Sequence, residues 1–387
     1  MRTRLLRAAI LMLCLWLSIG APDRAQAMEA PAWTVPSDDA IGALLDERIE
    51  GERQGVGIVV GIIDADGRRI VARGRRREGD PRPPDGDTLF EIGSVTKVFT
   101  ALLLAEMAET HEVALDDPVA EYLPVGVTMP ERGGRGITLR DLATHMSGLP
   151  RLPANMAPAD PANPYADYTM AQLHAFLGSY VLTRDIGSHY EYSNLGAGLL
   201  GDVLARRAGQ PYEALVRTRI TGPLGMASTA IALTPDMRAR LASGYDASLQ
   251  PASYWDMPTL AGAGALRSTA NDLLRFLAAE LGYAESPLHT AMAAQLVPRE
   301  PTGMTGVDVA LGWHITSNPT RQIVWHNGGT GGFRSFIGFD PAARLGVVVL
   351  TNAATERGGD DIGMHLLTGA PLQPPPVEAT ASLPRTR

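Results

Sequence analysis

The chain of 387 residues has a single cysteine, Cys14, and it lies in the N-terminal segment. Removal of that segment, argued below, leaves no thiol, which excludes disulfides, a cysteine nucleophile and a cysteine metal site. Positive charge is also in deficit, because 42 acidic residues outnumber 34 lysines and arginines and give a formal net charge of −8. Without a basic face to meet phosphates, we expect no nucleic acid partner.

The N-terminal segment has the three parts of a secretory signal peptide. Arg2, Arg4 and Arg7 supply a basic start, residues 8–19 are apolar, and Ala25-Gln26-Ala27 is a small-x-small cleavage pattern. The apolar stretch is too short to span a bilayer, which disfavours the alternative of a retained membrane anchor. We therefore expect cleavage after Ala27, no stable membrane span, and a mature protein that is periplasmic or secreted.

Strand-like segments lie at both ends of the remaining chain. Residues 56–71 are typical of a hairpin, because apolar β-branched residues flank a turn at residues 64–67. Four more strands are predicted near the C-terminus, at Ala310–Thr316, Gln322–His326, Phe333–Phe339 and Leu345–Thr351. Most of the sequence between them is predicted to be helical. It includes a helix that begins with a capping box at Thr138 and is expected to stop at Gly148.

This order of segments predicts an α+β fold, with one antiparallel sheet built from both chain ends, flanked by helices, and a large inserted helical domain. We expect a single domain over residues 28–370, followed by a disordered Pro-rich tail over 371–387. Its α/β part covers about 33–100 and 290–370, and its helical part about 101–289. A long loop at residues 151–167 is expected to border the functional site.

Lysine is almost absent, since Lys97 is the only one and the other 33 basic residues are arginines. Lys97 follows Ser94 by three positions, which puts both side chains on one face of a helix. A serine hydroxyl needs an adjacent base to attack, and a buried lysine can lose its proton whereas arginine cannot. The alternative is a stray surface lysine. The position of the sole lysine favours Ser94 as nucleophile and Lys97 as base.

A second polar group, Tyr192-Ser193-Asn194, directly precedes an apolar helix. A phenol near an ammonium can shuttle a proton, so Tyr192 is a candidate catalytic residue. Asn194 can offer its amide to a substrate carbonyl. The alternative is a helix-capping loop that contains a packed tyrosine.

The third group is a glycine-rich run, His326-Asn327-Gly328-Gly329-Thr330-Gly331-Gly332, at a predicted strand end. Its glycines would let a ligand backbone lie against the strand edge. The N–H groups of Gly329 and Ser94 are candidate oxyanion donors. The alternative is an ordinary glycine-rich hairpin. No histidine spacing indicates a metal site, and no G-x-S-x-G motif indicates an α/β-hydrolase.

Together these groups resemble the serine β-lactamase and penicillin-binding-protein superfamily, in particular the branch of class C β-lactamases, HTG-type DD-peptidases and family VIII carboxylesterases. Further segments carry the same likeness, namely Leu89–Lys97, Leu142–Pro150, Pro223–Met226 and Ser268–Leu273. The similarity covers roughly residues 33–367. Jointly these motifs are specific, although no single one is.

The resemblance implies an acyl-enzyme mechanism that uses no cofactor. Ser94 would be acylated, Lys97 and Tyr192 would share base and acid work, Asn194 would assist, and Gly329 would complete the oxyanion hole. The substrate would be a β-lactam first, a D-Ala-D-Ala-type muropeptide second, or a small ester third. A catalytically silent ligand-binding protein on the same fold is the non-enzyme alternative, which the intact Ser94, Lys97 and Tyr192 set disfavours.

Two residues depart from the pattern of the resembled family. His326 stands where many members have the lysine of K-T-G, and Asn327 stands where they have threonine or serine. Both changes weaken the site expected to hold a β-lactam carboxylate. A histidine there also predicts that anionic substrates bind better once its imidazole is protonated, below an unperturbed pKa of about 6.5.

Overall fold

The computed structural model of the chain describes residues 33–80, 82–297 and 300–374. The predicted signal peptide and most of the predicted disordered tail lie outside the described residues. The strands are, in chain order, β1 Gly57–Asp64, β2 Gly67–Gly74, β3 Phe90–Glu91, β4 Glu131–Arg132, β5 Arg135–Gly136, β6 Gly244–Tyr245, β7 Pro251–Ala252, β8 Arg267–Ser268, β9 Glu300–Pro301, β10 Val307–Val309, β11 His314–Asn318, β12 Arg321–Gly329, β13 Arg334–Asp340 and β14 Leu345–Thr351.

The α-helices lie mainly between the two groups of long strands. They are α1 Asp38–Asp46, α2 Thr96–Glu109, α3 Leu139–Ala143, α4 Met170–Ser179, α5 Asn194–Ala208, α6 Tyr212–Val216, α7 Pro235–Arg240, α8 Ala261–Gly264, α9 Ala270–Glu280, α10 His289–Gln295 and α11 Asp360–Thr368. None of the helices in the described ranges is long and apolar enough to cross a membrane.

The predicted sheet is confirmed. Within the described residues, eight strands form one sheet in the order β2-β1-β14-β13-β12-β11-β10-β9. The N-terminal β1 pairs antiparallel with the C-terminal β14, with Val60 opposite Val349. Both chain ends therefore build the sheet, and the long segment between them supplies α2 to α10.

Alternation along β1 explains how the sheet is covered on both faces, because successive side chains of a strand point to opposite sides. Val59 and Ile63 belong to a core that includes the apolar residues of α2, α5 and α9. Ile58, Val60 and Ile62 belong to a second core shared with α1 and α11. The terminal helices thus cover one face, and the helical insertion covers the other.

Two predicted boundaries are wrong, and each fails at a turn with positive φ. The predicted strand Ala310–Thr316 is divided, because Gly312 (φ 72°) lies in a turn in which Ala310 N donates to Trp313 O at 2.8 Å. The helix that begins at Leu139 ends at Ala143 and not at Gly148. His145 has φ 60°, a left-handed conformation that ends the helix.

Packing of α11 on the sheet gives a first prediction. A Cβ atom on Gly363 would lie 2.2 Å from Cδ1 of the buried Phe336, so Gly363→Ala should overpack this contact. We expect the free energy of unfolding to fall by about 1–3 kcal/mol in urea denaturation. Gly178 in α4 has no atom within 4 Å of such a Cβ and serves as the control. Gly178→Ala should be neutral or stabilise by up to about 1 kcal/mol; equal effects at both positions would contradict the packing argument.

Candidate active site

Close backbone contact holds the turn that contains Ser94 against the end of β12. Ser94 lies in a short 3₁₀ turn, Gly93–Val95, that continues directly into α2. A Cβ atom on Gly93 (φ 48°) would lie 2.7 Å from Gly329 N, and one on Gly328 would lie 2.1 Å from Ile92 O. Gly328 of the predicted run and Gly93, which precedes Ser94, are therefore needed where backbone meets backbone, and this contact places Gly329 beside Ser94.

Lys97 lies at the centre of a buried hydrogen-bond network. Its Nζ is 2.9 Å from Ser94 Oγ, 2.8 Å from Asn194 Oδ1 and 2.7 Å from Ala263 O. The side-chain amide of Asn194 is oriented by its other end, because Nδ2 donates to Tyr165 Oη at 3.1 Å. Asn194 therefore presents its oxygen to Lys97, and the contact of its amide with a substrate carbonyl stays a prediction.

These contacts fit a neutral Lys97. Burial lowers the pKa of the Lys97 amine well below its usual 10.5, and the positive charge of Arg151 lowers it further. A neutral amine has two N–H donors and one lone pair. The two acceptors Asn194 Oδ1 and Ala263 O can take both donors, which leaves the lone pair to accept the Ser94 hydroxyl proton.

Tyr192 has the opposite protonation preference. Burial raises the pKa of its phenol above the usual 10.0, and a hydrogen bond with Ser94 only partly offsets that effect. Lys97 Nζ lies 4.8 Å from the centre of the Tyr192 ring. Tyr192 lines the open cleft, whereas Lys97 does not. The structure therefore brings together the Ser94 hydroxyl, the buried Lys97 amine and the Tyr192 phenol, which faces the cleft.

His326 is placed differently from its predicted role. It is 1% exposed and does not line the cleft. Its Nδ1 contacts Asn327 O at 2.6 Å, so Nδ1 carries the proton. Burial, with the charges of His314 and Lys97, lowers the pKa of His326 well below 6.5. The expected protonation near neutrality does not fit this environment, because burial away from water disfavours the charged imidazole.

The Asn327 side chain lines the cleft, but its amide is occupied. Asn327 Nδ2 donates to Asp360 Oδ2 at the start of α11. Burial raises the pKa of Asp360 to about 6, and the Asn327 hydrogen bond and Arg334 oppose that effect. The substitution of asparagine for a hydroxyl residue therefore links β12 to α11.

The cleft has a volume of about 620 Å³ and holds several residues that the sequence did not identify. Tyr165, from the loop predicted to border the site, packs against Trp255 with ring centres 5.3 Å apart. Arg151, at the start of the same loop, also lines the cleft. Loop position was the only available signal for Tyr165 and Arg151, and no motif pointed to Trp255. No group of three or more His, Cys, Asp or Glu side chains in the described ranges could hold a metal ion.

His145 forms hydrogen bonds with both residues that flank Tyr192, and the sequence did not identify it as part of the site. Its carbonyl accepts from Glu191 N at 3.0 Å, and its Nδ1 accepts from Ser193 N at 3.1 Å. Its ring centre lies 4.5 Å from that of Tyr192. Burial lowers the pKa of His145, which keeps Nδ1 free to accept. No sequence pattern indicated this role. It depends on a left-handed backbone at the buried His145 (φ 60°), and φ cannot be read from the sequence.

Known proteins share this architecture over most of the chain. The Beta-lactamase family profile matches residues 38–368. Over 338 residues the chain is 32% identical to the D-alanyl-D-alanine-carboxypeptidase/endopeptidase AmpH of Escherichia coli (strain K12), which covers 82% of this chain and 86% of that protein. It is 27% identical over 334 residues to a Beta-lactamase of Pseudomonas fluorescens, with 76% and 88% covered.

Solved structures agree with the sequence comparison. A Beta-lactamase/D-alanine Carboxypeptidase from Yersinia pestis, complexed with citrate, superposes with a TM-score of 0.71 at 28% identity and covers 82% of this chain and 94% of that one. A class C beta lactamase from Rhodobacter sphaeroides gives a TM-score of 0.71 at 29% identity, with 81% and 94% covered. The chain thus belongs to the Beta-lactamase family, within the superfamily of serine β-lactamases and penicillin-binding proteins, and is a serine hydrolase.

Proposed function

We propose that the chain is an exported acyl hydrolase that forms an acyl-enzyme on Ser94 and cleaves the amide bond of β-lactams or of D-alanyl-D-alanine-type peptides. One observation carries the catalytic part, namely the buried Lys97 amine, whose pKa is lowered by burial, at 2.9 Å from the Ser94 hydroxyl. Similarity to a carboxypeptidase/endopeptidase and to β-lactamases supports the two substrate classes. The signal-like features of residues 1–27 support export.

In acylation, Ser94 Oγ attacks the substrate carbonyl carbon while Lys97 Nζ accepts the hydroxyl proton. The carbonyl oxygen gains negative charge, and the backbone N–H groups of Ser94 and Gly329 would stabilise it. The first N–H groups of a helix lack intrahelical partners, which leaves that of Ser94 available. The C–N bond then breaks, and the leaving nitrogen takes the Tyr192 proton, which Lys97 replaces.

Deacylation repeats the same proton transfers with water. A water molecule attacks the ester carbonyl, and its proton passes to the Lys97–Tyr192 pair. Collapse of the tetrahedral intermediate releases the acid product, and the proton returns to Ser94 Oγ. No residue beyond Ser94, Lys97 and Tyr192 needs to change its covalent state or protonation.

Side-by-side turnover tests the proposal. Purified protein is assayed with a chromogenic cephalosporin, a D-Ala-D-Ala peptide and p-nitrophenyl butyrate, and Ser94→Ala is the control. Intact mass after incubation with penicillin or a fluorophosphonate reports the covalent adduct. We expect an adduct on the wild type and none on Ser94→Ala. A wild type that forms no adduct and turns over no substrate would be a silent binding protein, and the proposal would be wrong.

Replacement of Lys97 by arginine should separate charge from base function. Lys97→Arg keeps a cation but cannot accept the Ser94 proton, because guanidinium stays protonated at usable pH. We expect kcat/KM to fall by roughly 10²–10⁴-fold, the usual effect of losing a general base. A near wild-type rate would show that Lys97 acts only through its charge.

Chemical rescue supplies the control for misfolding. Lys97→Ala should regain part of its activity with added methylamine, a small base that fits the vacated space. Methylguanidinium should not restore it, since it cannot deprotonate. Equal rescue by both cations would contradict a base role for Lys97.

A neutral Lys97 also predicts how stability depends on pH. Its folded pKa is depressed below 10.5, so between these values the unfolded chain binds one more proton. The free energy of unfolding of the wild type should therefore rise with pH across this window, relative to Lys97→Met. Thermal denaturation at several pH values measures the difference between the two. Ser94→Ala retains Lys97 and should keep the wild-type slope; parallel curves for wild type and Lys97→Met would mean that Lys97 is protonated when folded.

A further inference from the structure

We propose that Arg151 binds a carboxylate carried by the leaving group of the substrate, and so sets the charge preference of the hydrolase. The inference rests on the proposed function, because it presupposes acyl transfer to Ser94. It gives a role to a residue that lies outside the three polar groups recognised in the sequence.

The backbone of Arg151 is fixed to the start of α5. Its carbonyl accepts from Asn194 N at 3.0 Å and from Leu195 N at 3.2 Å. The preceding carbonyl, of Pro150, accepts from Ser193 Oγ at 2.7 Å. Because these bonds are made to the segment that carries Tyr192 and Asn194, Arg151 has a defined position relative to the catalytic groups although it begins a loop.

The side chain of Arg151 is exposed, and its charge is available. Its Cζ lies 5.1 Å from the centre of the Tyr192 ring, and the residue lines the cleft. The salt bridges and side-chain hydrogen bonds found in the described ranges include none from its guanidinium. Its field nevertheless reaches the site, since it lowers the pKa of Lys97. An exposed, unpaired cation beside a proton donor is suited to hold an anionic group.

The other basic residues of the site are less suited to bind a substrate carboxylate. Lys97 is neutral and occupied, and His326 is buried away from the cleft. Arg357 is held by Glu52 and Asp361. Arg334 donates to three backbone carbonyls, those of Thr330, Phe333 and Ala354. Among the described residues that line the cleft, Arg151 is therefore the arginine whose guanidinium N–H groups are not already taken by a protein acceptor.

Proton transfer places the leaving group on the same side as Arg151. The group that protonates the leaving atom must come within hydrogen-bond reach of it. Of the two proton-handling residues, only Tyr192 lines the cleft, so the leaving group lies beside Tyr192. The guanidinium of Arg151 extends over that ring and would meet a carboxylate attached to the leaving group.

Three esters with the same reaction at Ser94 test the inference. Phenyl butyrate is neutral, 3-carboxyphenyl butyrate carries the charge on the leaving group, and phenyl hemisuccinate carries it on the acyl group. Acyl-enzyme formation is followed by intact mass as well as by turnover, so that slow deacylation does not hide the first step. The wild type, Arg151→Gln, Arg151→Lys and Arg334→Gln are compared. Arg238→Gln, at an exposed position of α7 outside the cleft lining, controls for loss of one surface charge.

We expect Arg151→Gln to lower kcat/KM for 3-carboxyphenyl butyrate about tenfold or more, as for loss of a charge-assisted hydrogen bond. Phenyl butyrate and phenyl hemisuccinate should change by less than about threefold, and Arg151→Lys should retain part of the preference. Added salt should weaken the preference in the wild type and not in Arg151→Gln. A uniform loss on all three esters, a selective loss on the hemisuccinate, or the expected pattern in Arg334→Gln alone would overturn the inference. A wild type that acylates phenyl butyrate while showing no charge preference would leave the hydrolase function intact and refute only the role of Arg151.

Discussion

The hydrogen bond between Lys97 and Ser94 can activate the hydroxyl only while the Lys97 amine is kept out of water. Burial supplies that condition, and acceptors from two other helices, Asn194 of α5 and Ala263 of α8, occupy the amine's own protons. Packing of α2, α5 and α8 thus buries the Lys97 amine and lowers its pKa. The sheet contributes the remaining part, because close contact between Gly93 and Gly329 brings the strand end to the same point.

Electrostatics in the cleft serves two purposes that oppose one another. The charge of Arg151 lowers the pKa of Lys97, which favours the neutral base. A carboxylate bound by Arg151 would offset part of that field and raise the same pKa. The base would therefore be strongest once the substrate is in place, whereas the empty enzyme would hold it reliably deprotonated. His145, His314 and His326 add no positive charge near neutrality, because burial lowers the pKa of all three.

Features with a fixed local spacing could be predicted from the sequence, and features that depend on tertiary contact could not. The shared helix face of Ser94 and Lys97 follows from their three-residue spacing, whereas the hairpin predicted at residues 56–71 and the strand Leu345–Thr351 follow from apolar β-branched runs and turn residues. The clamp formed by His145 depends on a left-handed φ in a buried turn, and the burial of His326 depends on how β11 and β12 pack. Asn194 and Lys97 were both recognised as parts of the site, but the hydrogen bond between them depends on how α2 and α5 pack.

Pairing between β1 and β14 has a consequence for how the chain reaches this structure. Gly57 N donates to Asn352 Oδ1 across 295 residues of sequence, and this bond joins the neighbouring strands β1 and β14. Contacts so distant in sequence form slowly, since a long loop must close before they gain any stabilisation. During synthesis β1 can pair with β2 as soon as their hairpin has appeared, but its other edge has no partner until β14 has been made. The eight-stranded sheet can therefore be completed only after the whole helical insertion has been synthesised.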